Sequence, residues 1–165
     1  MFYIKLIGLL LLAAVLARVG YEASRALHRR VRALSETARW IVRLASHIRY
    51  TATPLDELLR VSAADCPALA FLHDINPGDL PRHFDAAILQ HAGGSGFAPP
   101  DIALLREFGA GLGTSDVEGQ LAHCALFQEL FEKQTEAART IAQNKGRVYT
   151  TLGLAGGICL ILLLM

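Results

Sequence analysis

The residues best suited to proton transfer or metal binding are six histidines: His28, His47, His73, His83, His91 and His123. No two stand four apart on one helical face, and no His-Glu-x-x-His occurs, so each reads as a surface or helix-end residue. Cys66, Cys124 and Cys159 form no close pair. They fit neither a disulfide framework nor a zinc pattern, and a reducing compartment suits them. Ser46-His47 and Ser95 lack a nucleophile elbow. Gly109-Ala110-Gly111-Leu112-Gly113 has the glycines of a phosphate loop. Such a loop needs a strand before it. Here the preceding Leu104 to Phe108 is helical in pattern, so a helix end and a tight turn are expected. The sequence therefore predicts no catalytic group, no metal site and no cofactor, and a protein that is not an enzyme.

The elements around these residues are dominated by two apolar ends. Val148 to Met165 holds no ionisable group except Tyr149. Eighteen helical residues would span about 27 Å, close to a hydrocarbon core about 30 Å thick. Phe2 to Val19 is also apolar, with Lys5 near its start and Arg18 near its end. Eight Leu, Ile and Val between Leu6 and Leu16 supply about −4 kcal/mol of insertion energy. A cleaved leader is the alternative, but the arginines just downstream resist translocation and favour a retained span.

Net charge is only +1, yet it is segregated. Arg18 to Arg49 holds eight Arg against Glu22 and Glu36; Tyr50 to Glu132 holds twelve acids against Arg60, Arg82 and Arg106; Lys133 to Arg147 holds four bases against Glu136. Positive charge flanks both apolar ends on the inward side, which places the middle of the chain in the cytoplasm. The expected division is a membrane helix over 2–20, a cytoplasmic helical domain over 21–147 and a second membrane helix over 148–165. Ala13 and Ala17, and Gly153 and Gly157, are spaced four apart. They would let the spans pack closely or self-associate, although such pairs also arise by composition alone. The arginines suit anionic headgroups of membrane lipid; no groove-binding motif supports nucleic acid.

The middle reads as all-α. Leu27, Val31, Leu34, Ala38, Ile41, Ala45 and Ile48 make a seam spaced alternately four and three, so one long helix should continue from the first span. Thr53-Pro54, Cys66-Pro67, Pro81 and Pro99-Pro100 open shorter helices, with a turn at Asn76-Pro77-Gly78-Asp79 and a loop at Gly93 to Gly96. Ser115 to Glu118 reads as a capping box. The last helix should run from there to the chain end, with Val117, Leu121, Cys124, Phe131, Ala138 and Ala142 on its buried face. No sheet is expected.

Phe108-Gly109, Leu112-Gly113, Ser115-Asp116 and Gln120 resemble the stage III sporulation protein AB family. So do Lys5-Leu6 and Gly8, Tyr50, Thr53-Pro54-Leu55 and Leu58, and Leu152-Gly153 with the closing Leu-Leu-Leu-Met. The resemblance runs in order along essentially the whole chain. It implies a component of the complex linking mother cell and forespore during endospore formation, held in the mother-cell membrane around the forespore. It also implies similarity to the inner-membrane platform proteins of type II secretion and type IV pilus machines, whose cytoplasmic helical domains contact an assembly ATPase. A platform protein of such a secretion or pilus system is the alternative.

Together these readings suggest a scaffold: a helical bundle between two membrane helices, taking no small-molecule substrate. Its acids at exposed helix starts, Asp56, Glu57, Asp101, Asp116 and Glu118, would dock a basic surface of a cytosolic partner.

Overall fold

The computed structural model describes residues 2–51, 53–63, 66–74, 80–91 and 94–164; the side chains of Asp56, of residues 73–74 (His73 among them) and 80–81, of most residues before 18 and of most after 145 lie outside that description. The described secondary structure is all helical, joined by short turns, with no strand among the described residues. The order is α1 (Phe2–Tyr50), α2 (Leu55–Ala63), a 3-10 helix (Pro67–Asp74), α3 (Leu80–His91), α4 (Pro99–Gly111) and α5 (Val117–Leu164). As the sequence predicts, α1 and α5 are long and uninterrupted. The turn expected at 76–79 and Gly93 lie outside the described residues.

Two compact units divide the chain, one of residues 30–136 and one of residues 1–29 with 137–165. In the second unit the buried described residues are small: Gly20, Ala138 and Ala142. Among the described residues no helix is long and apolar enough to cross a membrane. The side chains of Ala13, Ala17, Gly153 and Gly157, expected to line the spans, lie outside the described residues.

The 30–136 unit has a core of large side chains. Trp40, Phe84, Phe108, Phe131, Leu34 and Leu59 are fully enclosed. Each side chain of this size gains roughly 1.5–3 kcal/mol on leaving water. Of the expected seam on α1, Leu34, Ala38 and Ile41 are buried, whereas Leu27, Val31, Ala45 and Ile48 are only partly covered. Ala33, Thr37, Trp40 and Leu44 complete the buried face. Two of these four are polar, and both are satisfied. Thr37 Oγ1 donates to the Ala33 carbonyl at 2.9 Å, and Trp40 Nε1–H donates to Ser62 Oγ at 2.9 Å. The Ser62 hydroxyl in turn donates to the Leu59 carbonyl, so α1 and α2 are joined without a stranded donor.

Helices α3 and α4 approach closely at Gly109, where any Cβ would overlap the ring of Phe84. An exposed ion pair between Arg106 and Asp85 spans the same two helices. On α5, Cys124, Phe127 and Phe131 face the core, with Thr135 bonded back to the Phe131 carbonyl at 2.6 Å. Val117, expected on that face, is instead 55% exposed. The last residue before the helix has to cap it, and the side chain one position on faces solvent.

Candidate functional site

The α4–α5 corner is built by a short run of small and polar residues. Helix α4 ends when the Leu112 N–H turns back to the Gly109 carbonyl at 3.2 Å. Gly113 follows in the left-handed region, φ 75°, where a side chain would be strained. Thr114 Oγ1 donates to the Gly111 carbonyl at 2.9 Å. Asp116 is the residue before α5, and its Oδ1 accepts the Gly119 N–H at 3.0 Å. The cap is thus Asp116 rather than Ser115, and Glu118 is free to face solvent.

Gln120 closes the corner from inside α5. Its Nε2 donates to the Gly111 carbonyl at 3.1 Å and to Ser115 Oγ at 2.9 Å, and its Oε1 accepts the Gly113 N–H at 3.2 Å. One buried amide therefore satisfies three groups of a turn that has no secondary structure of its own. Gln120→Leu keeps the bulk and removes all three bonds. It is expected to destabilise the unit by about 1–2 kcal/mol, read by urea unfolding. A change under about 0.5 kcal/mol would mean that water replaces the amide.

Beneath the corner, His123 Nε2–H donates to the Phe108 carbonyl at 2.9 Å. Its ring stacks on Phe108, centroids 5.3 Å apart, and leans on Phe127 at 4.6 Å. His123 is therefore a packed residue of the corner and not a surface or helix-end histidine. Among the described residues no group of three His, Cys, Asp or Glu could hold a metal ion. Burial pushes the Cys124 thiol up to about 11. Burial also raises the Cys66 thiol, against the opposing charge of Arg43. Neither is the thiolate that nucleophilic chemistry needs.

Leu55, the first residue of α2, packs over the same turn: a methyl group on Gly113 would lie 3.5 Å from its Cδ2. The first residue of α2 thus neighbours the turn that precedes α5. Glu57, Asp116 and Glu118 are exposed. Asp56 belongs to the same helix start, but its side chain lies outside the described residues.

Asp101 does not belong with them. It is 0% exposed and accepts four hydrogen bonds. Arg30 donates through Nε at 2.7 Å and Nη2 at 2.8 Å, Gln134 through Nε2 at 2.8 Å, and the Ala98 N–H at 2.9 Å. The expectation of an exposed docking acid at this position is corrected. Its carboxylate is consumed in tying α1, α4 and α5 together and in capping α4. Burial alone would raise the Asp101 carboxyl, but the hydrogen bonds from Arg30, Gln134 and Ala98 outweigh it and hold it below the ordinary carboxylate range.

Phe108, Gly109, Leu112, Gly113, Ser115, Asp116 and Gln120 build this corner, and Leu55 covers it. The class defined is an all-helical protein with a polar corner between α4 and α5. The model of the stage III sporulation protein AB family matches residues 5–165. The chain belongs to that family, and with it has a role in sporulation. No curated protein and no solved structure matches it.

Proposed function

We propose that this chain is a non-enzymatic platform of the sporulation channel between mother cell and forespore. Both apolar ends cross the mother-cell membrane, and the 30–136 unit stands in the mother-cell cytoplasm. There it recruits a cytosolic, secretion-type ATPase. The observation that carries the recruiting role is the exposure of Glu57, Asp116 and Glu118 at the starts of α2 and α5, two segments that neighbour each other at Leu55 and Gly113. Asp116 and Glu118 on the corner that Gln120 fixes, with Glu57 on α2, present negative charge, and a basic face on the partner would be steered to it. The membrane assignment rests on the length and hydropathy of the two ends and on the positive charge inside each.

The test reverses the charge without breaking the cap. Asn caps helices as well as Asp, so Glu57→Lys and Glu118→Lys are combined with Asp116→Asn. Full-length chain in lipid vesicles is then assayed for recruitment of the ATPase of the same apparatus. Recruitment should fall about tenfold or more and should weaken with added salt. Recruitment that is unchanged in the triple variant removes the docking role.

A further inference from the structure

Two exposed helix faces of the 30–136 unit take no part in that corner. On α1, Arg32, Arg39, Val42 and Ser46 fall at helical spacing along one side, and all four are exposed. On α5, Ala122, Leu126, Glu129 and Glu136 do the same. Val42 is 46% and Leu126 54% exposed, so each face carries an apolar residue beside its charges. Glu129 makes an exposed contact to Lys133, one turn on along the same face, and such pairs yield readily to a better partner.

The two faces match in register. Arg39 precedes Val42 by three residues and Arg32 precedes it by ten; Glu129 follows Leu126 by three and Glu136 follows it by ten. Ten residues of helix span about 15 Å on either side. Set antiparallel, Val42 meets Leu126, Arg39 meets Glu129, Arg32 meets Glu136, and Ser46 meets Ala122. A parallel setting of the same two apolar residues would put Arg39 opposite His123, whose ring is already packed on Phe108. The parallel setting leaves one opposite-charge pair, Arg32 with Asp116, against two in the antiparallel setting, so charge favours the antiparallel one.

We propose that the α1 face of one copy of this chain docks antiparallel on the α5 face of a second copy. Charge complementarity argues for this occupant. Each chain carries both halves: Arg32 and Arg39 beside Val42 on α1, and Glu129 and Glu136 beside Leu126 on α5, where Lys133 between the two acids falls opposite Ser35. An anionic lipid surface would attract Arg32 and Arg39, but it would leave Val42 unmatched and repel the α5 row. A contact of this size is small beside a free-standing dimer interface, which buries roughly 1,000 Å² or more. Its natural setting is the crowded plane of a membrane, where copies are already concentrated. The proposal rests on the membrane part of the platform reading and not on recruitment of the ATPase.

The experiment uses full-length chain in neutral-lipid vesicles. One population carries Val42→Cys and the other Leu126→Cys, treated with a short bis-maleimide. Native Cys66 and Cys124 are buried, and the chain without added cysteines sets the background. Mixed populations should give covalent dimers well above either population alone. Adding Arg39→Glu to the first should cut the yield about tenfold, and adding Glu129→Arg to the second should restore it. Circular dichroism confirms that the charge variants stay helical. Equal yields from mixed and single populations would overturn the proposal. So would an Arg39→Glu effect that appears only in anionic vesicles, which would mark a headgroup contact.

Discussion

Asp101→Ala should unfold the 30–136 unit more readily by about 3–5 kcal/mol, because it removes one member of a buried ion pair and leaves the other behind. The Arg30 side chain is 19% exposed and meets the carboxylate through two nitrogens. Without Asp101 it keeps its charge in a site that water reaches poorly. Gln134 and the Ala98 N–H lose their acceptor as well. Asp101→Asn should cost less, since an amide oxygen still serves one or two donors. Chemical denaturation of full-length chain in detergent micelles measures both. A loss under about 1 kcal/mol for the alanine variant would show Arg30 relaxing into solvent. The same carboxyl sets an acid limit. Its pKa is lower folded than unfolded, so its contribution is fully present above the ordinary carboxylate range and is lost as pH falls through the folded value. Wild type should therefore lose stability on acidification below pH about 4, and Asp101→Asn should lose less over that window.

Phe108→Ala should cost a further 3–5 kcal/mol or so, the range for deleting a buried aromatic ring. Phe108 is 0% exposed. It meets Trp40 edge-on at 5.6 Å, Phe127 at 5.4 Å and the stacked His123 ring. Phe108→Leu should recover most of the loss, because packing rather than any polar bond is removed. Trp40 is the only tryptophan in the chain, so its emission reports on this contact without interference. A red shift in the folded alanine variant is expected. Emission identical to wild type, with unchanged stability, would mean that the cavity collapses and the ring is dispensable.

The long helices were legible in the sequence because apolar residues recur at helical spacing over many turns. The buried face of α1 was only half legible. A heptad reading follows the aliphatic residues, and it passes over Thr37 and Trp40. Those two turn inward because the Ala33 carbonyl and Ser62 satisfy their polar atoms, which no local pattern announces. Asp101 shows the same limit more sharply. Locally it is an acid in the first turn after two prolines, the usual place for a solvated carboxylate. Its burial depends on Arg30, 71 residues away. Gln120 was singled out for family resemblance, but its threefold grip on the turn belongs to geometry. Val117 fell at a core spacing and lies in solvent, because the register of α5 is set by Cys124, Phe127 and Phe131.

The Asp101 hub also has a timetable. Arg30 leaves the ribosome 71 residues ahead of its carboxylate, and Gln134 arrives 33 residues later still. At roughly 5–20 residues per second, the guanidinium waits about 4–14 s for its partner. Throughout that interval α1 is a nascent helix with an open flank, and only the arrival of α5 can seal it.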